Sequence, residues 1–166
     1  MSEGKEEIFV SSWRREKSEV VISVVEKLNK SRVRYDKPMF PTIKDLMVFA
    51  AMVGKAMESR RPIATDLGIE HISRKEIFDD RKNLSYFYFL ALVESGSLDV
   101  ILSQKNRKHE EEAVKVFEEY ANGGFYTIHR WLEDRPGDES GFEALLAELP
   151  KLLSSKMNSV VKAPAL

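Results

Sequence analysis

Two runs of eight consecutive apolar residues, Leu46–Val53 and Tyr86–Val93, constrain this chain more than any other feature. They sit in longer segments, Ile43–Met57 and Asn83–Ser95, whose apolar positions wrap nearly the whole circumference of a helix. A helix with no polar face has to be buried in a core or covered by a partner. Neither run approaches the roughly 18 apolar residues that signal a membrane span. The chain is therefore expected to fold around these two helices, with other helices as cover.

The cover is visible as amphipathic pattern. Ser18–Lys30 places Val20, Val21, Val24, Val25 and Leu28 on one face of a 3.6-residue period, although its valines would also suit a strand. Asn106–Asn122 lines up Ala113, Val116, Phe117, Tyr120 and Ala121, with Glu110, Glu111, Glu112, Glu118 and Glu119 facing mostly elsewhere. Tyr126, Ile128, Trp131 and Leu132 predict a short helix ended by Arg135-Pro136-Gly137. Phe142–Leu153 predicts a last one, interrupted by Pro150. Leu98–Leu102 has room for a helical turn.

Boundary residues agree with these segments. Thr42 with Asp45, and Ser73 with Glu76, are capping signals. Gly96 suits a left-handed C′ position, and Asn122-Gly123-Gly124 suits a helix stop. The glycine pair follows a helix, whereas phosphate cradles precede one. The expectation is an all-α (mainly α), compact single-domain bundle of about five to six helices over residues 1–153. A short irregular or β-hairpin excursion fits between them, and residues 154–166 are expected to form a disordered tail.

Composition narrows the chemistry. The chain has no Cys, which removes zinc ribbons, thioredoxin-like redox, Cys proteases and persulfide relays. Its N-terminus, Met1 to Glu7, is polar and acidic, with no apolar signal region behind a basic start. The expected location is the cytoplasm, with no membrane contact. Phosphate-loop, dinucleotide and nucleophile-elbow glycine motifs are missing. None of His71, His109 and His129 follows a Glu by three residues, so a di-iron bundle is excluded. His109 and Glu112 could share a metal but have no second pair, and no cofactor or metal is expected. Asp79 and Asp80, followed by Lys82, are the nearest thing to a Mg²⁺-dependent nuclease pair, and they read better as a charged loop.

Charge carries a weak positive signal. Net charge is -1, yet Lys27 to Arg61 holds nine basic residues against three acidic ones. Lys30, Arg32, Arg34, Lys44, Arg60 and Arg61 are candidate phosphate contacts. Ile63–Phe78 offers an alternative as a helix-turn-helix regulator of duplex DNA, with Gly68 at the turn and Ser73–Lys82 as recognition helix. Arg74 and Lys75 would then reach bases, although Arg74 stands where that motif needs a buried aliphatic.

Two segments bear a resemblance. Lys37-Pro38-Met39-Phe40-Pro41-Thr42-Ile43-Lys44-Asp45-Leu46-Met47-Val48-Phe49-Ala50-Ala51 looks like the opening signature of the small proteins called Dnd system-associated protein 4. Val116-Phe117-Glu118-Glu119-Tyr120-Ala121-Asn122-Gly123-Gly124 looks like their closing signature, with Ile77-Phe78 and Leu90–Gly96 in order between them. The resemblance spans Lys37 to Leu132 and transfers no catalytic residue. It implies a bacterial gene that travels with DNA phosphorothioation modification and restriction, a defence chemistry in which sulfur replaces a non-bridging phosphate oxygen. Without Cys this chain cannot carry that sulfur as a persulfide. The expected role is a non-catalytic accessory whose partners are proteins of that system or DNA, with homo-oligomerisation compatible.

Overall fold

The computed structural model describes residues 12–32, 36–73, 85–97 and 107–161. Five helices and a two-stranded sheet make a mainly α architecture. In chain order they are β1 (Ser12–Glu16), α1 (Glu19–Val25), α2 (Ile43–Ala56), β2 (Ile69–Ser73), α3 (Ser85–Ser95), α4 (Arg107–Glu133) and α5 (Phe142–Val161).

The caps follow the sequence closely. Ser18 Oγ accepts from Val21 N at the start of α1, which continues as one π-helical stretch through Lys30. Thr42 Oγ1 accepts from Asp45 N at 3.1 Å and donates to Asp45 Oδ2 at 2.6 Å, opening α2. Gly96 adopts φ 65° after α3. At the end of α2 the left-handed C′ residue is Glu58, with φ 53°. Ser59 N then bonds to Gly54 O, and Glu58 N to Lys55 O, the paired bonds of a Schellman ending.

The core gathers Val21, Val24 and Leu28 of α1, Leu46, Met47 and Ala50 of α2, and Phe117, Phe125 and Ile128 of α4. Trp13 of β1 closes one side, its ring 4.3 Å from that of Phe117. Helix α2 is less completely buried than its apolar pattern predicts. Phe49 is half-buried against Phe40, and Met52 is 60% exposed.

The largest departure is at Asn122-Gly123-Gly124. The expected helix stop does not occur: α4 runs unbroken from Arg107 to Glu133 and absorbs the short helix anticipated after it. The glycines serve the crossing of α2 and α4 instead. A Cβ on Gly124 would stand 1.7 Å from Ala50 O, and one on Gly54 would stand 2.0 Å from Tyr120 O. The two backbones touch where no side chain fits, which only glycine permits. Gly123 likewise abuts Ser59 O.

Three further expectations change. Glu118 and Glu119, expected to face outward, are 3% and 8% exposed. Helix α5 passes through Pro150 and beyond Leu153 to Val161, where a break and then a tail were expected. The helix-turn-helix geometry does not form at Gly68. Thr65–Leu67 makes one 3-10 turn, Gly68 has φ 89°, and Ile69–Ser73 is a strand. β2 pairs antiparallel with β1, Trp13 opposite Ile72 and Glu16 opposite Ile69, and both Ile72 and Trp13 are buried. The sheet thus joins two strands distant in sequence rather than a hairpin, and burial of Ile72 favours strand over recognition helix. Leu98–Leu102, and the recognition segment from Arg74 to Lys82, lie outside the described residues.

Candidate functional site

The basic residues of Lys27–Arg61 do not form one phosphate-tracking face. Lys30 pairs with Glu26 one turn back on its own helix, and Arg32 is exposed nearby. Lys44 is 8% exposed on the buried side of α2, unavailable to a nucleic-acid backbone. Arg60 and Arg61 stand past the far end of that 14-residue helix, about 21 Å along its axis. Arg61 lies flat over the Tyr126 ring, 3.6 Å from its centroid, and Lys27 Nζ donates to Asp138 O. Arg34, Arg74, Lys75, Asp79 and Asp80 lie outside the described residues.

What the fold does assemble is a charged cluster at the rim of an apolar groove. Lys55 comes from the last turn of α2, Glu94 from the end of α3, and Glu119 and Tyr120 from the middle of α4. Lys55 Nζ donates to Glu94 Oε2 at 2.8 Å, and Tyr120 Oη donates to the same oxygen at 2.7 Å. Lys55 Nζ also sits 5.0 Å from the centroid of the Tyr120 ring. Arg60 closes the cluster, with Nε to Glu119 Oε2 at 2.6 Å and Nη1 to Glu94 Oε1 at 3.3 Å. Below it runs a groove of about 350 Å³ lined by Val48, Ala51, Met52, Ala56, Leu90 and Phe117.

The electrostatics of the cluster fix its protons. Hydrogen bonds from Lys55 and then Tyr120 hold the Glu94 carboxyl down to about 2. The bond to Glu94 also raises Lys55. Burial, with the bond to Glu94, raises the Tyr120 phenol. General acid–base work needs a group that exchanges its proton near working pH. Here every shift moves its group away from neutrality, so the arrangement suits binding and orientation better than proton transfer.

A second polar cluster ties the N-terminal strand to the helices. Glu16 is 1% exposed, and it accepts from Tyr126 Oη at 2.6 Å, Ala64 N at 2.8 Å and Asn122 Nδ2 at 3.1 Å. Burial opposes its charge, but these bonds and one from Ser18 outweigh it and hold the carboxyl below its usual range. Asn122 also donates to Pro62 O, which fixes the connector after α2. Glu118 meets Arg14 through the backbone N–H and the guanidinium. Burial dominates there and raises its carboxyl.

Sequence reading missed Glu94, Glu118, Glu119 and Glu16 as functional partners of the basic stretch. The available signal was position: Glu118 and Glu119 directly follow Phe117, so both flank the apolar stripe rather than opposing it. His129 bonds Ser23 Oγ at 3.0 Å and pairs with Glu133. Among the described residues, no three metal-ligating side chains converge, and no helix is long and apolar enough to cross a membrane.

Comparison with known families supplies one match. The model of DNA sulphur modification system-associated protein 4 matches residues 14–157, extending the likeness seen over Lys37–Leu132 in both directions. Neither the curated proteins nor the solved structures gave a match.

Proposed function

The chain belongs to the DNA sulphur modification system-associated protein 4 family, and from that premise we propose that it is a non-catalytic, cytoplasmic accessory of DNA phosphorothioation-linked modification and restriction, acting by protein contact. One observation carries the choice of protein over DNA. Lys27, Lys30, Lys55, Arg60 and Arg61 are engaged within the chain, while the groove beside Met52 is open and apolar. Phosphate tracking needs free cations. An apolar groove with a fixed polar rim is what a protein segment or side chain recognises.

Reconstitution from purified components tests this reading. The chain should co-elute with at least one modification or restriction protein. Met52→Glu should abolish that complex without changing the melting temperature, because Met52 is 60% exposed. Failure to bind any component of the system would refute the proposal.

A second reading keeps Lys30 and Arg32 as a small duplex-DNA contact, since both side chains are exposed. Fluorescence anisotropy on duplexes with and without phosphorothioate linkages, at two salt concentrations, separates the two. Steep salt dependence by the chain alone, weakened by Lys30→Glu and Arg32→Glu, would favour DNA.

A further inference from the structure

Helix α5 uses one face and leaves another bare. Leu145 is buried, and Leu149 and Leu152 pack against the core. About 100° around the helix, Leu146, Leu153 and Met157 are 61%, 66% and 69% exposed, and Pro150 between them is exposed too. These four positions follow the alternating four- and three-residue spacing of a helix-pairing seam. They are also symmetric about the point between Lys151 and Leu152. A second α5 laid antiparallel therefore meets the same stripe in register.

We propose that this stripe binds a second copy of the chain, α5 against α5 antiparallel, with Leu146 on the partner's Met157 and Pro150 on the partner's Leu153. Three features select a second copy in this orientation. Flanking positions Ala147 and Ser154 are small and uncharged, which lets two helices approach. Exposed Glu143 lies in the first turn and exposed Lys151 in the second half, so the antiparallel arrangement sets acidic start beside basic end and keeps like charges apart. The helix dipoles also oppose each other only in this orientation. Three large exposed side chains fall short of the roughly 800 Å² per partner that stable complexes bury, so the dimer is weak, with a Kd on the order of 100 µM. The surface is separate from the groove between α2 and α3, so it stands or falls independently of the accessory reading.

Sedimentation equilibrium from roughly 10 to 500 µM, spanning that Kd, is the first test. The dimer fraction should rise across the range, and Leu153→Glu should hold the chain monomeric with unchanged circular dichroism and melting. A wild-type chain that stays monomeric throughout, or a dimer indifferent to Leu153→Glu, would overturn the proposal. The absence of native Cys allows a test of orientation. Leu146→Cys mixed with Met157→Cys should give the mixed disulfide on mild oxidation, because those positions face each other. Predominant linkage of two Met157→Cys chains would show a parallel pairing and refute the register.

Discussion

Replacing Gly124 by Ala tests the helix crossing at the centre of the fold, because two effects oppose each other there. On propensity alone, Gly to Ala inside a helix gains about 1 kcal/mol. On sterics, the new Cβ would stand 1.7 Å from Ala50 O, where ordinary contact begins at 3.4 Å. The obstacle is backbone within α2, not the end of a flexible side chain, so it cannot rotate away. The helices must part by about 1.7 Å at this point, and a gap of even 1 Å forfeits up to half the dispersion energy of each contact along the seam. Overpacking of this kind costs about 3 kcal/mol or more. The net expectation is a loss of at least about 2 kcal/mol, or roughly 4–8 °C in melting temperature for a chain of this size. Urea denaturation followed by circular dichroism measures it. Gly137→Ala is the control, since its Cβ would meet nothing within 4 Å; it should stay neutral or gain up to about 1 kcal/mol. A Gly124→Ala chain as stable as wild type would disprove the close crossing and restore the glycine pair as a helix end.

Other expectations follow from the same geometry. Glu58→Gly should stabilise by about 0.5–1 kcal/mol in thermal melts, because Glu58 holds a left-handed C′ position at φ 53° that glycine adopts freely. Glu16→Ala should cost at least about 3 kcal/mol in urea, since it strands the Tyr126 hydroxyl, the Asn122 amide and Ala64 N–H in a buried site. Glu94 has a folded pKa of about 2, below its unfolded value, so its contribution is present above the ordinary carboxylate range and is lost as pH falls towards 2. Stability measured against pH should therefore decline less steeply through that acid range in Glu94→Gln than in wild type.

The fold was legible wherever local chemistry decided it. Caps at Ser18 and Thr42, the left-handed Gly96 and the apolar faces of α1 and α4 follow from spacing and side-chain type, and each forms as read. The misreadings share a cause, since each involves a residue whose local preference yields to a distant contact. Gly123 and Gly124 are weak helix formers, but α2 approaches them too closely for anything larger. Ile72 becomes a strand residue because Trp13, far away in the sequence, pairs with it. Phe49, expected at the centre, rests at the edge on Phe40, 4.9 Å between ring centroids, because α2 turns Leu46, Met47 and Ala50 towards α4 instead.

The charge asymmetry shows the same logic applied to function. A basic stretch in a nearly neutral chain must be balanced by acidic residues elsewhere, and sequence alone does not say whether they meet. Here they do. Arg60 spans Glu94 and Glu119, and Lys55 meets Glu94, all carboxylates drawn from helices α3 and α4. Arg14, outside the stretch, meets buried Glu118 in the same way. A cation held by a carboxylate at under 3 Å is a poor counterion for phosphate, because binding DNA would first have to break the pair. The same pairs lock the ends of α2, α3 and α4 beside the apolar groove and hold its rim in one arrangement. The charges that suggested a nucleic-acid surface thus contribute to a fixed, mostly apolar recognition surface. For that reason the accessory reading rests on Met52 and its neighbours, with Lys30 and Arg32 left as the exposed cations of the described stretch.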